Sequence, residues 1–123
     1  MANPNIVNVT SIYGSTSYLV PTGTTATTWT ALTPAIGTVN KIDNIVAANV
    51  TATAANITVS INSATGGGGT AYRLAYQIAV PANATLIICD KSTAFYLGEA
   101  QSIVVTSGTA SAIELVASYE AIT

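Results

Sequence analysis

Charge is what this chain has least of. Only 7% of its 123 residues are Asp, Glu, Lys or Arg, against about 25% in ordinary soluble domains. Lys41, Arg73 and Lys91 are the only cations, and the formal net charge is −2. No basic stripe exists to displace phosphate counterions, so nucleic acid is not an expected partner. Histidine is absent, which leaves a serine or cysteine nucleophile without its usual base. Cysteine occurs once, as Cys89. That excludes an internal disulfide and, with no histidine, a zinc site. At the end of an apolar strand, Cys89 reads as a small buried hydrophobe rather than a reactive thiol. Long apolar runs are missing too. Leu86-Ile87-Ile88-Cys89 is strand-sized, far below the roughly 20 residues that span a bilayer, so no membrane association is expected. The opening MANPNIVNVT has neither a basic n-region nor an apolar h-region, and the expectation is folding in a cytoplasm.

The carboxylates number five: Asp43, Asp90, Glu99, Glu114 and Glu120. A pair of them could in principle do glycosidase chemistry. Asp90 and Glu99, however, fall in predicted turns, and Glu114 and Glu120 on the solvent face of the last strand, so all read as solvated surface groups. No acidic loop supplies the six to eight oxygens that calcium takes. The expectation is a non-enzymatic protein with no cofactor, no metal and no small-molecule substrate. The run Gly66-Gly67-Gly68-Gly69 does not alter this. A phosphate-cradling loop needs a following lysine and a helix start, whereas Thr70, Ala71 and Tyr72 follow here. The glycines read as a hairpin tip.

What is abundant is alternation. Asn56–Asn62 alternates polar and apolar without a fault, the period-2 mark of a half-buried strand. After the glycines, Tyr72, Leu74, Tyr76, Ile78 and Val80 fall on one expected face, with Arg73 and Gln77 on the other. Further strands are expected at 6–13, ending at Gly14, at 17–20, at 25–32 and at 39–50. The long segment 39–50 carries a bulge near Asp43-Asn44. Segment 85–89 is apolar on both faces and reads as a central strand. Short strands follow at 95–97 and 102–106, with a hairpin at Ser107-Gly108-Thr109. The last strand, 112–121, puts Ile113, Leu115, Ala117 and Tyr119 inside and Glu114, Ser118 and Glu120 outside. The prediction is a single all-β domain over residues 1–123, an antiparallel sandwich of eight or nine strands with no significant helix, jelly-roll or immunoglobulin-like.

Tyr72, Tyr76 and Tyr119 alternate with small or polar neighbours and read as core-facing, while Trp29, flanked by Thr and Ala, has no clear face. Asn-x-Thr sequons begin at Asn8, Asn49, Asn56 and Asn83. In a chain this rich in Asn and Thr they read as composition.

Several segments together carry a resemblance. Asn3-Pro4-Asn5-Ile6-Val7-Asn8-Val9-Thr10-Ser11-Ile12-Tyr13-Gly14, Val80-Pro81-Ala82-Asn83-Ala84-Thr85-Leu86, Phe95-Tyr96-Leu97-Gly98-Glu99 and Ala117-Ser118-Tyr119-Glu120-Ala121-Ile122 resemble, in the same order, small virion structural proteins of tailed bacteriophages, especially cyanophages and other marine phages. The glycine loop and Gly98-Glu99-Ala100-Gln101 depart from that pattern by replacing charged turns. The resemblance implies a virion component. Low charge agrees with a subunit whose normal state is packed in an assembly. The expected role is capsid decoration, a cement protein on the outside of the head, with the major capsid protein and copies of itself as partners. The alternative is a tail, neck or fibre component that binds a host glycan or tail partner. The candidate interface is an extended N-terminal arm over residues 1–6, with Asn3, Pro4, Asn5 and Ile6 as a strap, together with the loop Gly66, Gly67, Gly68 and Gly69.

Overall fold

In a computed structural model, which describes residues 4, 5 and 7–123, the chain forms two antiparallel sheets. The strands are β1 (Ile12–Leu19), β2 (Thr27–Thr28), β3 (Val39–Asn49), β4 (Ala55–Asn62), β5 (Ala71–Val80), β6 (Thr85–Cys89), β7 (Phe95–Leu97), β8 (Ser102–Ser107) and β9 (Ile113–Ile122). Single 3₁₀ turns occur at Thr30–Leu32 and Lys91–Thr93, and no α-helix occurs among the described residues.

Sheet A runs β1-β9-β3-β6, with β7 also pairing β3, and sheet B runs β2-β8-β4-β5. β6 pairs Ile45–Ala48 of β3 and β7 pairs Asn40–Ile42. These two pieces act as one strand interrupted by the Lys91–Thr93 turn. Counted so, the first strand pairs with the last, the second with the second-last, the third with the β6/β7 strand, and β4 with β5. That is a long hairpin wrapped into two sheets, the strand order of a jelly roll. It decides between the two sandwiches left open by the strand pattern.

The core lies between the sheets. Ile42, Ile45, Ala47, Ile113, Leu115 and Ala117 of sheet A meet Ile57, Val59, Val80, Ile103 and Val105 of sheet B, joined by Trp29 and Leu32 from the segment before β3. Trp29 is 1% exposed, and its indole Nε1–H donates to Ser17 Oγ at 3.0 Å. The expected strand 25–32 is thus cut to Thr27–Thr28, because a 3₁₀ turn swings Trp29 and Leu32 into the core. Where β3 crosses to β4, buried Asn49 donates to Thr53 O (2.8 Å) and Val80 O (3.0 Å), and its Oδ1 accepts from Thr51 N and Oγ1. A sequon asparagine here is a structural bridge between sheets.

Other expectations need correction. β1 continues through Gly14, which pairs with Glu120. An edge strand needs partners on one side only, so the glycine does not end it. β6, expected to be central, is an edge, and Ile87 is 61% exposed. Ser107-Gly108-Thr109 is not a hairpin, since β8 and β9 lie in different sheets. Tyr72 and Tyr76 are 64% and 60% exposed. The β4–β5 register shifts twice: Ile57 pairs with Ile78 but Val59 with Ala75, and Ser60 with Arg73. Each shift gives β5 one extra residue, and a bulge resets the alternation beyond it. The bulge expected near Asp43 is present, as a register break between Ile42 and Asn44.

Candidate functional site

The arm and the glycine loop are tied to different sheets. Asn3 and Ile6 lie outside the described residues. Pro4 is half-buried and Asn5 exposed. Asn5 Oδ1 accepts from Val7 N at 3.0 Å and Asn5 O from Asn8 N at 3.1 Å, which puts Val7 and Asn8 in a turn. Thr10 and Ser11 then donate to Thr123 O, and Thr123 N to Ser11 O. This prolongs the β1–β9 ladder of sheet A.

The loop folds back on sheet B. Buried Asn62 accepts from Ala64 N (3.0 Å) and Gly69 N (2.9 Å) and donates to Gly67 O (3.1 Å) and Gly69 O (3.3 Å). Thr28 Oγ1 donates to Gly66 O at 3.1 Å. Gly67 has φ +79°, and a Cβ there would lie 2.6 Å from Thr28 Oγ1, so glycine is required by the chain's own packing. Gly66, Gly68 and Gly69 are exposed.

The carboxylates are dispersed. Glu99, expected in solvent, is 6% exposed; Oε2 accepts from Gly37 N at 2.6 Å while Oε1 has no partner. Asp90 caps the Lys91–Thr93 turn, and hydrogen bonds from the Ser92 hydroxyl, then from the Ser92 and Thr93 backbone, hold its carboxyl below the usual value. Burial pushes the Cys89 thiol up. Asp43 and Glu120 share a shallow concavity with Lys41, Asn44 and Lys91, where Lys41 Nζ lies 3.9 Å from Glu120 Oε2. Among the described residues no three His, Cys, Asp or Glu side chains converge as a metal site.

The most distinctive surface is the outer face of sheet A. It can be built row by row, because residues opposite each other in a ladder share a face. Tyr18 pairs with Val116, Val116 with Val46, and Val46 with Ile87. Each has inward-facing neighbours: Ser17 and Leu19, Leu115 and Ala117, Ile45 and Ala47, Leu86 and Ile88. The four side chains therefore form one apolar row across all four strands, about 14 Å long at ~4.8 Å per strand. Tyr18 is 79%, Ile87 61% and Val116 37% exposed. Rows of small and polar residues flank it, Thr16, Ser118 and Asn44 on one side and Glu114, Ala48 and Thr85 on the other. Next to Thr16 lies the row of Gly14, Glu120, Lys41 and Tyr96. At the far end Ile12 lies in register with Ile122 and Val39, but only Ile12 is exposed there, Ile122 and Val39 being buried. On sheet B, Arg73 lies over the Tyr76 ring, 5.3 Å from its centroid. The sheet A rows join strands far apart in sequence, so the sequence signalled them only through β6 being apolar on both faces.

No protein-family model and no curated protein matches the chain. Among solved structures, the chain is similar to the cryo-EM structure of the giant freshwater prawn Macrobrachium rosenbergii extra small virus virus-like particle. The likeness is distant, with 15% identity and a TM-score of 0.37, over 98% of this chain and 85% of that one. Function is therefore argued from the chain's own residues.

Proposed function

We propose that this chain is a non-enzymatic virion structural subunit of a tailed bacteriophage, and specifically a capsid decoration protein. The observation that carries the reading is the open apolar row Tyr18–Val116–Val46–Ile87 on sheet A, on a surface with little charge to keep copies apart. Such a face suits repeated docking on a flat partner, here the major capsid protein on the outside of the head. Each contact is modest, and many symmetry-related sites sum to a stabilised shell. The resemblance of the opening, middle and closing segments to phage virion proteins supports the same reading, as does the low cation count, which suits a position outside the DNA-filled lumen. The exposed parts of Pro4, Asn5, Gly66, Gly68 and Gly69 are contributors to contacts with neighbours in this arrangement.

A second reading has its own observation. Tyr72 and Tyr76 are exposed on β5, and Arg73 stacks on Tyr76. A partly stacked aromatic rim is a platform for a sugar ring, as a tail or fibre module would use on a host glycan.

Immunogold labelling of particles from a source lysate, imaged by negative-stain electron microscopy, separates the two. Gold spread over the heads is the expected result. Gold confined to the tail or neck overturns decoration in favour of the second reading. Unlabelled particles, with the epitope shown to be accessible, contradict a virion role altogether.

A further inference from the structure

Sheet edges are templates for pairing, and folded proteins blunt them with bulges, charges, prolines or very short strands. Three of the four outermost strands here are blunted. β2 has two residues, β5 carries two register shifts and Arg73, and β6 has five residues and a register shift against β3. β1 has none of these devices. Its eight residues, Ile12–Leu19, hold an unbroken register with β9 and contain no charge and no proline. All but Ser17 and Leu19 are exposed, and a Cβ added at Gly14 would meet nothing within 4 Å. Among the described residues no strand pairs with its free side.

We propose that two copies of this chain pair antiparallel through β1 about a twofold axis at Ser15, giving a continuous sheet across both copies. The occupant is a second copy because the strand is self-complementary. It has no like charges to oppose, and at the axis the exposed Ser15 hydroxyl meets that of the second copy, a cross-strand hydroxyl pair. The register follows from the faces. Ile12, Gly14, Thr16 and Tyr18 face outward, so with the outer faces aligned the opposed residues must be both even or both odd. Centring on Ser15 sets Tyr18 against Ile12 of the second copy, an aromatic–β-branched pair made twice. The same register extends the apolar row that ends in Tyr18 by the exposed Ile12 of the second copy. Four tyrosines, Tyr13 and Tyr18 from each copy, offer on the order of 150 Å² apiece. With the strand backbones this comes to about the 1,000 Å² that a specific interface needs. The isologous pairing also closes, leaving that edge unavailable to further chains. It holds independently of the virion reading.

Sedimentation equilibrium of the full chain should give a dimer whose dissociation constant rises at least tenfold in Ser15→Lys and in Ser15→Asp, where like charges meet at the axis. An equimolar mixture of the two variants should restore the dimer. Far-UV circular dichroism checks that each variant is folded. In Ser15→Cys, otherwise wild type, opposed Cα atoms at about 4.5–5.5 Å fall within the disulfide range of about 4.4–6.8 Å. Mild oxidation should therefore produce a covalent dimer, whereas the wild-type chain, whose one thiol is the buried Cys89, should give none. A wild-type monomer at all concentrations, a dimer indifferent to both charged variants, or failure of Ser15→Cys to cross-link while the protein is dimeric would each overturn the proposal.

Discussion

β1 and β5 are both long outer strands of the same sandwich, and they meet the same hazard in opposite ways. β5 has ten residues, yet two register shifts, a left-handed Gln77 (φ +48°) whose N–H donates to Thr58 Oγ1, and Arg73 break its outline. β1 has eight residues and runs straight. In a chain with so few charges, backbone irregularity replaces ionic protection. The place where it is missing is the place prepared for a partner.

The largest effect is expected from Trp29→Ala. It removes a fully buried side chain together with the indole bond to Ser17, the buried anchor of β1. A loss of about 3–5 kcal/mol in urea unfolding is expected, with β1 losing its protection first, which would break the comparison from the open side. From the blunted side, Asn62→Ala deletes four hydrogen bonds that shape the loop closing β4 on β5. At about 0.5–1 kcal/mol each, the lower part of the usual range because water can reach the exposed loop, a loss of roughly 2–4 kcal/mol is expected by the same measurement. Gly67→Ala places a methyl against Thr28 at a positive φ and should cost about 1–3 kcal/mol. Its effect should stay within sheet B and leave β1 association unchanged in sedimentation.

The smallest effect concerns pH near β6. Asp90 has its folded pKa below the usual 3.8, so its contribution is present above that value and is lost as pH falls through the depressed folded value. Asp90→Asn should therefore flatten the stability profile below about pH 4 while leaving it nearly unchanged at pH 7, because asparagine still caps the turn. Thermal unfolding from about pH 2 to about pH 7 reads this directly.

Strands with one buried face were legible from the chain alone. β4 and β9 alternate cleanly, and the β3 bulge at Asp43 showed as a fault in the alternation. The edges were harder, because edge strands bury little and so carry little pattern. β1 exposes Ile12, Tyr13 and Tyr18, which no period-2 rule anticipates. β5 hid its tyrosines' true face behind bulges that reset parity. Glu99 lies in the expected turn but looked solvated, because its partner, Gly37 N, lies 62 positions away. The site was least legible. The row Tyr18–Val116–Val46–Ile87 depends on three ladders between distant segments. No local pattern encodes such a register.

The contrast between the two edges is tested most directly by amide hydrogen exchange, resolved by residue, at low and high protein concentration. Exchange of alternate β1 amides, those pointing away from β9, should slow as concentration rises, while β5 amides stay unchanged. Exchange along β1 that is indifferent to concentration, or protection gained on β5 instead, would contradict the account.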